Sequence, residues 1–189
     1  MPETKPPIEL NGLSLADLER AIAERRLPPV DRWDPPHCGH SGMRIARDGR
    51  WHHDGAPIAR PAMVRLFSTV LRREADGRHM LVTPIEKLDI DVENTAFRAI
   101  AMSSEGEGRA RRIAFELDSG DALILGPAHP LHLADTPAGP SPRLAVRLGL
   151  EAELSRPVYY ELAELALADG GDPPGVWSDG AFFALDGPA

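Results

Sequence analysis

The chain has 189 residues, 42% of them hydrophobic and 26% charged, with a formal net charge of -8. That length suits one large domain or two of about 100 residues with a real core, and the acidic balance argues against nucleic acid or an anionic membrane as partner. No apolar run approaches the roughly 20 residues of a spanning helix, the opening MPETKPPIEL has no apolar signal core, and a lone cysteine, Cys38, excludes an internal disulfide, so a reducing cytoplasm is the expected compartment.

Residues 1–12 read as a loose polar arm. A helix follows, capped by Ser14 with Asp17 three positions on, with Leu15, Leu18 and Ile22 on one face. Arg25 and Arg26 favour its C-terminal dipole, and Pro28-Pro29 stops it. Residues 28–42 form a proline-, histidine- and glycine-rich connector. Met43 and Ile45 alternate with polar neighbours as a half-buried strand, and Asp48-Gly49 predicts a type I′ hairpin. Asp54-Gly55 turns the chain again. Arg60-Pro61 opens an amphipathic helix through Met63, Leu66, Phe67, Val70 and Leu71, ended by Asp76-Gly77. Strands are expected at 80–82, 88–92 and 96–102, with a break at Thr83-Pro84.

The apolar-poor SSEGEGRAR, 103–111, is the predicted domain boundary. The expected organisation is an arm and helix over 1–40, a first α+β domain over 41–102 and a second over 103–189. In the second, a hairpin joins 112–117 to 122–125, and a proline-rich loop covers 126–142. A strand at 143–147, a helix at 157–168 and two short closing strands follow. Arg109, Arg111 and Arg112 read as a solvated strand edge.

An internal echo supports duplication. Arg47-Asp48-Gly49 precedes Arg60-Pro61 and a helix, as Arg147-Leu148-Gly149 precedes Arg156-Pro157 and a helix. The fold class is therefore α+β, two small structurally related domains with an N-terminal helix.

The elements CG, MRI, RDG, VLRRE, LVTPIEK and VENTAF between Cys38 and Phe97, with LEAELSRPVYYELAE at 150–164, resemble the bacterial family of unknown function DUF1285. The resemblance runs from about Trp33 to Leu185. It implies two related α+β domains, the second pleckstrin-homology-like, a small-ligand site between them for a nucleotide-like molecule, and a signalling role. It supplies no activity.

Candidate chemistry is sparse. His37, Cys38, His40, His52 and His53 lack the spacing of a zinc finger or ribbon, so no metal site or other cofactor is expected. No G-x-S-x-G, Walker A or H-E-x-x-H signature is present. Arg60 and Arg156 stand at helix N-termini, where unpaired N–H groups and a forked guanidinium suit a phosphate or carboxylate. Thr83, Glu86 and Lys87 form a polar loop between strands. These five residues are the ligand-site candidates, and the expected partner is a small anionic or nucleotide-like molecule bound at the domain interface. The rival readings are an enzyme, a hydrolase or lyase using Glu86 or a histidine, and an oligomeric scaffold without ligand. Homo-oligomerisation is left open.

Overall fold

The computed structural model describes residues 5–186. Helix α1, Leu15–Ala23, starts at Ser14, whose Oγ accepts the Asp17 N–H at 3.2 Å, and it buries Leu15 and Leu18. The arm before it is less loose than expected over its described part. Ile8 and Leu10 are buried, and their N–H groups reach the Gly120 carbonyl at 2.8 Å and Glu116 Oε2 at 3.1 Å. Residues 1–4 lie outside the described residues.

The first half comprises strands β1, His37–Ile45; β2, Trp51–His53; and β3, Ala56–Pro57; then helix α2, Pro61–Thr69; then β4, Leu71–Arg73; β5, His79–Val82; and β6, Lys87–Val92. The predicted connector thus yields the start of β1. Gly39 and Gly42, at φ 99° and 72°, let that strand shift register against β6 and remain paired. The turn after β1 also differs from expectation. Among its residues only Gly49 has positive φ, and its N–H meets the Ala46 carbonyl at 2.9 Å, so a type I turn ends in a left-handed glycine. Asp54-Gly55, at φ 48° and 83°, is the true primed turn. Helix α2 stops before Leu71, because Leu71 is fully buried when paired with Leu81 across β4 and β5. That packing overrides the helical period.

The second half contains β7, Phe97–Glu105; β8, Arg112–Leu117; β9, Ala122–Ile124; β10, Leu131–Thr136; β11, Gly139–Arg147; β12, Leu150–Leu154; helix α3, Arg156–Asp169; and a separate hairpin of β13, Gly175–Ser178, and β14, Ala181–Ala184. The expected boundary at 103–111 falls instead on the end of β7, a single 3-10 turn and the run into β8. The chain changes sheet before Phe97. The proline-rich loop is largely two strands. Pro140 and Pro142 are tolerated because β12 pairs with β11 only from Arg143 onward, leaving their missing donors on an open side. The arginines near β8 are not a solvated edge. Arg111 is buried and forks onto Asp169, Arg112 meets Glu19 and Asp179, and Arg109 lies 4.5 Å over the Trp177 ring.

The strand orders are β3-β2-β1-β6-β5-β4 and β10-β11-β12-β7-β8-β9. Each sheet is two meanders of three strands joined by a parallel pairing of its first and last strands, β1 with β6 and β7 with β12. The halves are therefore structurally related. Their correspondence is not the one the Arg-Pro echo suggested. The Asp48-Gly49 turn joins strands one and two of its sheet, whereas Leu148-Gly149 joins strands five and six. Likewise α2 follows a third strand and α3 a sixth. One apolar core crosses the seam, running from Ile45, Trp51 and Leu71 to Phe97, Leu144 and Leu162.

Candidate functional site

The five candidates from the sequence are placed apart. Thr83, Glu86 and Lys87 share the β5–β6 turn, and each has a local duty. Thr83 Oγ1 accepts the Glu86 N–H at 3.2 Å, closing the turn. Lys87 Nζ lies 3.7 Å from both Asp34 and Glu74. Arg60 is exposed at the N-cap of α2, where its carbonyl accepts the Met63 N–H at 3.0 Å. Arg156 begins α3 and lines a groove of about 430 Å³ with Arg47, Arg98 and Tyr160, a groove that holds none of the other four. The paired histidines of β1 are strand residues. His37 faces Asp89, and His40 lies 3.4 Å from Asp91, both on β6. Among the described residues no three His, Cys, Asp or Glu side chains gather as a metal would need.

What the fold does gather is a junction of three elements around the β8–β9 turn. That turn, Asp118-Ser119-Gly120-Asp121, is closed by the Leu117 N–H on the Asp121 carbonyl at 2.8 Å. It projects Asp121 and Ser119 to one side and Asp118 to the other. On the Asp121 side, the end of α1 supplies Arg25, α2 supplies Arg65, and β11 supplies Arg147. Arg25 Nη1 meets Asp121 Oδ1 at 3.0 Å, and its Nη2 reaches the carbonyls of Gly120, at 3.0 Å, and Pro6. Arg147 donates to the Ser68 carbonyl at 2.9 Å, lies 3.7 Å from Asp121 and stands 5.0 Å over the Phe97 ring. Burial pushes the Arg147 guanidinium below its ordinary value, with the Asp121 carboxylate pulling the other way.

Arg65 differs from these two. Its Nε is buried without a hydrogen-bond partner, and no described carboxylate forms an ion pair with it. It lines the cavities on both sides of the turn. Gly120 makes this approach possible. It has φ 83°, and a Cβ there would stand 3.1 Å from the Arg65 Cδ and 2.9 Å from Pro7. The cavity on the Asp121 side measures about 460 Å³ and also takes in Lys5, Leu27, Leu66 and Thr69. Around it, Arg25, Arg26, Arg65 and Lys5 stand with Asp121 and Glu24, a positive local balance in an acidic protein. Guanidinium groups have the donor geometry for charge-assisted hydrogen bonds to an anion.

No spacing in the sequence announces this set, since Arg25, Arg65, Asp121 and Arg147 come from four separated elements. The one local signal was Arg25, read as a dipole partner for α1; its principal contact is Asp121 instead.

On the opposite side of the turn, Asp118 accepts the Arg98 N–H at 3.0 Å, while Arg98 Nη1 donates to the Asp48 carbonyl at 2.9 Å. The two halves meet here, and a Cβ on Gly49 would come within 2.7 Å of the Asp118 carboxylate. Burial pushes the Asp118 carboxyl from 3.8 up to about 6, against the hydrogen bond from Arg98. Its outer edge stays open to water, which moderates the effect on stability. A carboxyl whose folded value is raised adds stability that is full below about pH 4 and lost as pH rises through about 6. Asp118→Asn keeps the acceptor and removes the charge. Thermal melts of the two proteins should agree near pH 3.5, and the variant should lead by up to about 1 kcal/mol at pH 7.5. A variant less stable at pH 7.5 would contradict this.

Comparison with known proteins places these features in context. The model described as "Domain of unknown function (DUF1285), N-terminal domain" matches residues 28–95, and "Protein of unknown function (DUF1285), C-terminal domain" matches 96–185. The chain is similar to the crystal structure of a DUF1285 family protein from Silicibacter pomeroyi DSS-3, at 44% identity and TM-score 0.78, covering 90% of this chain and 93% of that one. A DUF1285 family protein from Shewanella baltica OS155 shares the fold, at 20% identity and TM-score 0.53, over 69% of this chain and 98% of that one. The curated proteins contain no match. Among the described residues no helix is long and apolar enough to cross a membrane.

Proposed function

Starting from the fact that the chain belongs to the DUF1285 family, we propose that it is a regulatory protein that binds a small anionic ligand at the junction of its halves. The observation that carries this reading is the set of cations Arg25, Arg26, Arg65 and Lys5 around a cavity of about 460 Å³ between α1, α2 and the β8–β9 turn, with Arg65 in no ion pair with a described carboxylate. Cavities between packed units are the usual place for small ligands. The site touches the arm and both halves, so a ligand there biases how they sit together, and that bias is the signal. No covalent chemistry is part of the proposal: Asp121, the carboxylate beside the Ser119 hydroxyl, is engaged by the Arg25 guanidinium at 3.0 Å.

The test is a thermal-shift screen against nucleotides, phosphometabolites and carboxylates, with Arg65→Ala in parallel. A ligand at 100 times its Kd adds about 2.7 kcal/mol, which in a chain of this size moves the midpoint by several degrees. Losing charge-assisted hydrogen bonds worth about 1.5–3 kcal/mol weakens binding by about 10- to 150-fold. A hit that a folded Arg65→Ala variant still binds at wild-type strength removes the site from this junction. A panel in which no anion shifts the melt counts against the ligand-binding reading itself.

A further inference from the structure

Beside this outer cavity lies a second, smaller one of about 260 Å³, the inner chamber, which also opens to solvent and shares Arg25, Leu27 and Asp121 with it. We infer that the ligand of this junction is a free single-chain amphiphile, with a carboxylate or phosphate head at Arg65 and an aliphatic tail in the inner chamber. This rests on the anion site proposed above and adds the tail.

The inner walls are Ile8, Ile22, Leu117, Ala122, Leu123 and Val146. Of its two other polar residues, Arg147 donates to the Ser68 carbonyl, and one His129 ring nitrogen lies 3.1 Å from the Ala145 carbonyl. No phenylalanine, tyrosine or tryptophan lines either chamber among the described residues. A nucleobase would find no ring to stack on, whereas methylenes find aliphatic surface. Leu27 and Leu66 line the outer cavity and are themselves 40% and 36% exposed, which leaves apolar surface uncovered beside the head site. Leu27 lines both cavities and gives a tail an apolar edge beside the Arg25–Asp121 ion pair. Scaled from a cavity of about 150 Å³ that takes the six carbons of benzene, the inner chamber holds a chain of about ten carbons. The net charge of -8 favours a free acid over an anionic bilayer.

The experiment is calorimetric titration of the full chain with butanoate, hexanoate, octanoate and decanoate below their micelle concentrations, beside inorganic phosphate and phosphatidylglycerol vesicles. Kd should fall about fourfold per added methylene and level off near eight to ten carbons. Arg65→Ala should weaken every homologue at least tenfold, and Ile22→Phe, which fills the chamber from α1, should shorten the length at which affinity levels. Should Ile22→Phe fail to fold, the wild-type length series decides alone. Arg65-dependent binding of phosphate and short acids with no gain from chain length overturns the tail and leaves the anion site standing. Silence from every anion overturns both. Binding to vesicles with none to the monomeric acids overturns the free amphiphile.

Discussion

Phe97→Ala is expected to lower stability by about 3–5 kcal/mol, the usual cost of emptying a large aromatic site in a core. Phe97 is 1% exposed and is the first residue of β7, where the chain crosses from one sheet to the other. It belongs to the core that joins Ile45, Trp51 and Leu71 of the first half to Leu144 and Leu162 of the second. Its ring also lies under Arg147, a cation–π contact worth about 0.5–2 kcal/mol. With total stabilities of about 5–15 kcal/mol, this one side chain accounts for a large fraction. Urea unfolding should show a lower midpoint with an unchanged slope. A loss under about 1 kcal/mol would mean that the halves hold separate cores, and a second transition in the curve would show it directly.

Asp121→Ala should cost about 3 kcal/mol and lower the midpoint of thermal unfolding by roughly 6–12 °C. The carboxylate takes donors from Arg25 at 3.0 Å and Ser119 at 3.3 Å, with Arg147 at 3.7 Å. All three charged side chains are about one-sixth exposed, so truncation leaves two cations that water reaches poorly. That residual exposure is why the lower end of the range for breaking a buried pair applies. Removing the partner as well should recover part of the loss, so Arg25→Ala with Asp121→Ala should cost less than the sum of the two. The same substitution also separates stability from binding. It leaves Arg25 and Arg147 without their main counter-charge, so anions should bind the less stable variant more tightly. Weaker anion binding would show that Asp121 positions the site rather than competing for it.

Much of the fold was legible because local signals agreed with the final packing. The Ser14 cap, the Leu15–Leu18 face, the break at Thr83-Pro84 and the helix at Arg156-Pro157 all depend on a few adjacent residues. The errors arose where distant packing decided. Leu71 fits the period of α2, yet Leu81 pulls it into a hairpin. Pro140 and Pro142 suggest a loop, yet the neighbouring strand ends where they begin. Duplication was visible, but its register was not, because the repeat lies in strand order rather than in any motif. The site was least legible of all. Arg65 reads from the sequence as one more polar position on α2, and only the β8–β9 turn, brought in from the other half, leaves its Nε buried and unpartnered.

The parallel pairing of first and last strands also governs how the chain reaches its fold. His37 finds its partner only at Lys87, and Phe97 only at Ala152, so neither sheet is complete until its final strand exists. Each closure bears the entropy of a long loop before any ladder bond rewards it, which raises contact order and slows folding. During synthesis the first meander of a half can form early, but the second meander and the seam both wait for the last strand, which ends at Val92 in the first half and Leu154 in the second. Until then the inner edges of β1 and β7 stay unpaired, and those edges are where a stalled or truncated chain will aggregate.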